Sequence, residues 1–334
     1  MEFTNGTVQE FILLGFEVGQ LQRLLLLVFF TLLYMLTMAE NITIITLVVL
    51  DTHLFQLPMY ILLSNFSWLE ICYVNTTVPR MLLDLALSNK SISFSSCFLQ
   101  FYIFCSLGST ECFFLSSMAL DRYLAICHPL RYPQIMSPNF CYILVTVCWA
   151  LGFLAYIVPV TLISKMSYCG PNVIDHFLCD AGPILALACP PLLKAPTSSL
   201  IFMDIVVILG NIVFAVLSYG SVIVTLMKNS SKGNRAKSFS TISFHLLVVT
   251  LYYGPAAGIY IKPREADSSV TKIVTLCYTA ITPFLNPLIY CLRNDQVKEA
   301  LFRLWRRKAV FLKSKTDSVK KRKRTGNISQ NLQH

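Results

Sequence analysis

Met118-Ala119-Leu120-Asp121-Arg122-Tyr123-Leu124-Ala125-Ile126-Cys127, followed by His128-Pro129-Leu130-Arg131-Tyr132-Pro133, is the stretch that decides the fold. Its Asp-Arg-Tyr triplet stands where a long apolar run, beginning near Cys97, gives way to a polar loop. A lone charge is costly at a membrane edge, and an adjacent acid and base can hold one another there. Three letters by themselves also suit a solvated turn. The surrounding chain has to decide.

Working outward, apolar runs of about 20 residues or more recur, each long enough to cross a hydrocarbon core of about 30 Å at roughly 1.5 Å per helical residue. They fall at Leu24–Leu50, Pro58–Leu83, Cys97–Leu120, Phe140–Ile163, Thr197–Met227, Ser238–Ile261 and Val270–Leu292. Lipid leaves the backbone no partner but itself, so these are expected to be helices. The composition agrees: 55% of residues are apolar, 13% are charged and the mean hydropathy is +0.62. No remaining stretch is large enough for a second folded domain. The expectation is an all-α membrane protein with an amino-terminal segment at 1–23, seven spans over 24–292 and a cytoplasmic segment at 293–334.

Met1–Gln22 lacks the basic start and apolar core of a signal peptide, so the first span is expected to direct its own insertion. With Met1 outside, the inner side carries Arg122 and Arg131 in loop two, four basic residues in loop three and thirteen from Arg293 to Arg324. Eight of the 27 basic residues fall on the outer side or at outer span ends. This is the positive-inside asymmetry. The net charge of +10 therefore belongs mostly to a tail held beneath a membrane, and nucleic acid is not an expected partner. The sequon Asn5-Gly6-Thr7 is a glycosylation candidate, and Asn89-Lys90-Ser91 a second one nearer the membrane.

The ten-residue run resembles the end of helix three and the second inner loop of vertebrate olfactory receptors, a branch of the rhodopsin-like G-protein-coupled receptors. Other matches lie far from it in sequence. Leu57-Pro58-Met59-Tyr60 opens span two, Ser218-Tyr219 closes span five, and Thr282-Pro283-Phe284-Leu285-Asn286-Pro287-Leu288-Ile289-Tyr290 closes span seven. Lys237-Ser238-Phe239-Ser240-Thr241-Ile242-Ser243-Phe244-His245-Leu246 is similar to the family's entry into helix six, with departures at Ser238, Ile242 and Phe244. Glu40-Asn41 departs at Glu40, where the family usually has Gly. The resemblance runs from about Glu10 to Arg307.

Cys97, Cys169, Cys179 and Cys189 lie on the outer, oxidising side, and four such cysteines form two disulfides in one of three connectivities. The resemblance selects Cys97–Cys179 and Cys169–Cys189. Glu70 and Glu111 place two carboxylates in adjacent spans, which cannot both be ionised cheaply without a cation or a proton. Either a sodium or proton site, or a hydrogen-bonded structural pair, satisfies that requirement. No other cofactor is expected. Residues 297–305 alternate apolar and basic positions at helical spacing, as an amphipathic helix on the inner leaflet would.

Function follows from the resemblance. It implies a receptor that takes a small volatile hydrophobic molecule from outside and engages the olfactory stimulatory G protein inside, raising cyclic AMP. It also implies residence in the plasma membrane of olfactory sensory neuron cilia, with a surface-trafficking chaperone as a further partner. Phe104, Cys105, Gly108, Ser109 and Cys112 share one helical face. They suit either a pocket or close helix packing. The resemblance favours a pocket, completed by Phe202, Val206 and Val207, by Tyr252, Ala256 and Ile259, and by Tyr278 and Thr279. Asp204 is an acid in the outer half of span five, a candidate for ligand selection or for pairing with a loop residue. Asp121, Arg122, Tyr123, His245, Asn286, Pro287 and Tyr290 are the candidate switch residues. No nucleophile–base pair or phosphate-binding loop is present, and an enzyme is not expected. A transporter would show internal repeats or paired broken helices, and the chain has a single Asn-Pro break, Asn286-Pro287.

Overall fold

The computed structural model describes residues 8–87, 90–189, 194–229, 243, 246–254, 268–293 and 297–303. Helices occupy the expected spans wherever these fall within the described residues. Spans one to four are Gln20–Leu50, Pro58–Ala86, Phe94–Cys127 and Pro138–Ser164. Span five runs Lys194–Asp204, a π turn Ile205–Leu209, and Gly210–Asn229. Span six is described over 246–254. Span seven runs Ser268–Leu276, a π turn Cys277–Ile281, and Thr282–Arg293. Among the described residues, five helices are long and apolar enough to cross a membrane.

Local chemistry sets the helix ends. Ser93 and Ser137 cap spans three and four, their hydroxyls accepting the Ser96 and Phe140 amides. Pro58 and Pro138 stand in the first turn, where a missing amide costs nothing. Span three continues to Cys127, seven residues past the expected end at Leu120. Asp121-Arg122-Tyr123 is therefore helical rather than in a polar loop. The pairing of Asp121 with Arg122 lets the helix carry both charges to its end.

Span three runs through the centre of the bundle, packed against spans two, four and five. Its contact with span four is close at Gly152, where an added Cβ would overlap Oγ1 and Cα of Thr110. The Ser109 hydroxyl donates to the Gly152 carbonyl at 2.9 Å across the same contact. Small residues allow such an approach between membrane helices. The main core joins Leu62, Phe66, Phe114, Leu115 and Cys148 from spans two, three and four. Leu24, Leu25 and Leu32 of span one, and Val213, Val216 and Leu217 of span five, face outward, as lipid-facing positions should.

A three-stranded sheet covers the end of the bundle that carries the amino terminus, an element the sequence reading did not anticipate. β1 (Glu10–Leu13) lies between β2 (Ser91–Ser93), antiparallel to it, and β3 (Val173–Ile174), parallel to it. Phe11 and Leu13 are fully buried, in a second core with Cys97, Phe101, Ile163, Ile174 and Cys179. Two residues past β1, Gly15 has a φ of +63°, a conformation that favours glycine, and its amide donates to the His176 carbonyl. The disulfides Cys97–Cys179 and Cys169–Cys189 are both formed. Beyond span seven, 297–303 is helical, with Val297 and Ala300 buried and Leu301 and Phe302 exposed. Arg303 pairs with Asp51, between spans one and two, at 2.9 Å. Leu304, Trp305, the basic tail, Asn5 and Asn89 lie outside the described residues.

Candidate functional site

Beneath the sheet the helices part around a cavity of about 770 Å³. The whole expected face of span three lines it: Phe104, Cys105, Gly108, Ser109 and Cys112. Asp204, Val207, Tyr252 and Tyr278 line it as well. The same face also packs: the Tyr252 hydroxyl donates to the Gly108 carbonyl at 2.7 Å, and the Cys112 thiol lies 3.6 Å from that hydroxyl. Tyr73 stacks on Phe104 at 5.6 Å, and Phe104 lies 6.1 Å from Tyr278, making an aromatic wall.

Three expected lining residues are corrected by the geometry. Phe202 and Val206 do not line the cavity and are 63% and 49% exposed, on the outward face of span five. The lining positions of that span include Leu200, Asp204, Val207 and Ile208. At roughly 100° per residue, a position two away from Asp204 faces nearly the opposite side. Thr279 is buried outside the cavity, its hydroxyl donating to the Thr275 carbonyl at 2.7 Å. Ala256 and Ile259 lie outside the described residues.

Asp204 accepts a hydrogen bond from the Tyr156 hydroxyl of span four at 2.6 Å, a helix partner where a loop partner was one expectation. The upper wall comes from residues beside Cys179, which the sequence reading did not place in the site. Asp175, His176 and Asp180 line the cavity. Lys272 of span seven pairs with Asp175 at 2.5 Å. His176 is buried, its Nδ1 accepting from the Leu178 amide at 3.2 Å, which puts the neutral ring's proton on Nε2. Burial, and then the charge of Lys272, push its pKa down to about 4. Asp180 accepts from the Ala181 amide at 2.7 Å, and burial pushes its carboxyl up to about 6, against that hydrogen bond and with the help of the Asp204 charge. The usable signal was Cys97–Cys179: tying Cys179 to the top of span three hangs its neighbours over the mouth of the bundle.

Deeper in the bundle, the Asn286 amide of span seven donates to Glu70 of span two at 2.5 Å. Glu70, Glu111 and Asn286 are all buried. Among the described residues, Glu70 Oε2, Glu111 Oε1 and Asn286 Oδ1 have no hydrogen-bond partner. Pro287 follows inside the helix, directly after the Asn286 anchor.

At the far end, Arg122 donates through Nε to Asp121 Oδ2 at 2.9 Å and also through Nη2, while the Tyr132 hydroxyl donates to Asp121 Oδ1 at 2.8 Å. Asp121 is 1% exposed, so three donors serve one buried carboxylate. Tyr123 turns away, its hydroxyl 3.2 Å from His128 Nε2. His245 and the Tyr290 side chain lie outside the described residues.

The arrangement has close relatives. A family model described as "Olfactory receptor" matches residues 30–308. The human protein Olfactory receptor 11H6 is 51% identical over 304 residues, covering 90% of this chain and 91% of its own. Human Olfactory receptor 11G2 is 48% identical, covering 90% and 87%. In shape the chain is similar to squid rhodopsin, with a TM-score of 0.68 at 16% identity, over 87% of this chain and 82% of that one. The helix order, both disulfides and this match place the chain in the olfactory receptor family, among the rhodopsin-like receptors, which are not enzymes.

Proposed function

We propose that this receptor binds a small hydrophobic volatile molecule in the cavity beneath the loop and activates a stimulatory, olfactory-type G protein that raises cyclic AMP. The observation that carries this reading is a mostly apolar cavity at one end of span three and the Asp121–Arg122 pair at the other. One rigid helix joins them. Apolar burial would supply most of the affinity, at about 25 cal/mol per Å² before the costs of binding. Asp204, Ser109 and Tyr252 supply orientation.

Activation is a population shift: a ligand that fits the open state better favours it by its difference in affinity. Arg122 then exchanges Asp121 for the G protein, His245 and Tyr290 rearrange nearby, and span seven bends at Asn286-Pro287. Glu70 and Glu111 hold a proton or a sodium ion with Asn286, favouring the inactive arrangement. The Asp121 end faces the cytoplasm, as the positive-inside asymmetry requires. Residues 1–23 then lie outside, with glycan on Asn5 and a second acceptor at Asn89. Residues 24–292 span the membrane, and 293–334 lie against the inner leaflet. The setting is the ciliary plasma membrane of an olfactory sensory neuron, reached with a trafficking chaperone.

The test is cyclic AMP production in cells carrying the olfactory G protein and a trafficking helper, against a broad volatile panel. A dose-dependent rise in the wild type and its loss in Arg122→Ala at equal surface level is the expected result. A response undiminished in Arg122→Ala would contradict the coupling role.

A further inference from the structure

Several hydroxyls around the cavity spend their hydrogens on the protein itself. The Tyr252 hydroxyl donates to the Gly108 carbonyl at 2.7 Å, that of Ser109 to the Gly152 carbonyl at 2.9 Å, and that of Tyr156 to Asp204 at 2.6 Å. His176 is different. It lines the cavity and is 1% exposed, yet among the described residues its Nε2 has no hydrogen-bond partner. The other ring nitrogen is committed: Nδ1 accepts the Leu178 amide at 3.2 Å, so the neutral ring carries its proton on Nε2. Burial and the Lys272 charge push the pKa down to about 4, so the ring is a neutral donor at ordinary pH. A buried N–H without an acceptor is costly, and an acceptor arriving from the cavity removes that cost.

The surroundings hold the ring in this orientation. It stacks on Phe177 with centroids 4.6 Å apart and planes 26° apart, and Phe177 stacks in turn on Phe16 at 5.3 Å. The His176 carbonyl accepts the Gly15 amide, and Cys179, three residues on, is tied to Cys97. One ring face is against Phe177 and the Nδ1 edge is against Leu178. The edge left for the cavity carries Nε2. The Thr197 hydroxyl of span five also lines the cavity and also has no partner among the described residues. An acceptor atom would satisfy its hydrogen too.

We propose that His176 is the specificity-determining donor of the cavity, and that the ligand is an uncharged aldehyde or ketone whose carbonyl oxygen accepts from Nε2. This rests on the receptor reading above and names its ligand class. A carbonyl oxygen accepts without bringing a hydrogen of its own, so it pairs the ring N–H and adds no new donor to be satisfied. A hydrocarbon of the same skeleton leaves Nε2 unpaired. An alcohol accepts as well, but its hydroxyl hydrogen then needs an acceptor within a mostly apolar chamber. The carbon skeleton packs against the aromatic wall of Tyr73, Phe104 and Tyr278.

The experiment uses the full-length receptor with the olfactory G protein and the cyclic AMP readout. Compounds are tested in sets of one skeleton: octanal, octanol and octane; cyclohexanone, cyclohexanol and cyclohexane; benzaldehyde, benzyl alcohol and toluene. At least one carbonyl compound is expected to act at a concentration tenfold or more below its alcohol, with its hydrocarbon inactive. His176→Asn keeps an oxygen for the Leu178 amide and has no atom at the Nε2 position, so it separates the donor from the fold. Its half-maximal concentration for that carbonyl compound should rise about tenfold. His176→Gln, whose amide nitrogen can reach the Nε2 position, should recover part of the loss. The ratio of carbonyl to alcohol potency is read within each variant, so a variant that is poorly displayed still reports. That ratio unchanged in both variants would overturn the assignment and leave the receptor reading standing. So would activation by alcohols or hydrocarbons in preference to every carbonyl compound. Silence to every compound from a well-displayed receptor would overturn the assignment and count against the receptor reading together.

Discussion

Asn286 of span seven donates its side-chain amide to Glu70 of span two, next to the proline that interrupts span seven. The bond crosses the bundle at the point where span seven has lost a backbone hydrogen bond, so it fixes the direction of the helix below. Glu70→Gln keeps an acceptor for Asn286 but removes the carboxylate, and should raise ligand-independent cyclic AMP severalfold at matched surface level. Asn286→Ala should depress the ligand response instead, since the hydrogen bond between the two helices is then lost. An unchanged basal level in Glu70→Gln would count against a proton or sodium lock.

Gly152 sits where spans three and four meet most closely. Gly152→Ala forces a Cβ onto the Thr110 backbone as well as its hydroxyl. Overpacking of this kind costs about 1–3 kcal/mol. Surface display should drop severalfold, with the half-maximal concentration of the surviving receptors shifting far less. Normal display would show that the two helices have more room than this contact implies.

The loop above the cavity depends on Cys97–Cys179. Cys179→Ser frees the segment bearing His176 and Asp180 and should abolish the ligand response even in whatever fraction reaches the surface. Cys169→Ser opens a loop of 20 residues within the same segment, and a reduced but measurable response is expected. Equal behaviour of the two variants would contradict the different roles given to them.

Protonation of Asp180 gives a pH dependence. Its carboxyl is pushed up to about 6, first by burial and then by Asp204, against the Ala181 amide. A carboxyl loses its charge below its pKa, so lowering the outside pH from about 7.4 to about 5.5 should shift the half-maximal concentration of an activating compound severalfold. His176, at about 4, stays neutral through that window. The Asp180→Asn receptor should show a flatter profile. A steeper one would assign the effect to another group.

Much of this was legible in the sequence because lipid imposes a simple rule: a long apolar run must be a helix. The ten residues from Met118 then set the family, and the family set the disulfide pairing. Helical spacing put Gly108, Ser109 and Cys112 on one face of span three, and the resemblance, not the spacing, chose a pocket over packing for it. Span five was harder. Its apolar residues are suited equally to lipid and to a cavity, so Phe202 and Val206 carried no mark of the side they face, and only Asp204 did. The π turns at Ile205–Leu209 and Cys277–Ile281 left no sequence signature either. The sheet joins three segments far apart in the chain, two to four residues each, too short for alternation to be visible. The loop's contribution to the cavity arises from one covalent tether rather than from any local pattern.

The central claim is that occupancy of the cavity drives signalling at the Asp121–Arg122 end. Gly108 faces that cavity, and a Cβ added there meets the Tyr252 and Tyr73 hydroxyls only at ordinary contact distances of 3.5 and 3.7 Å. Gly108→Leu should therefore root a bulky side chain in ligand space, and surface display checks that the bundle accepts it. The decisive measurement is the cyclic AMP dose–response of this variant beside the wild type, at equal surface level, with any compound that activates the wild type. The account predicts at least a tenfold loss of sensitivity, or about 1.4 kcal/mol of binding. A superimposable curve would place the ligand elsewhere and contradict it.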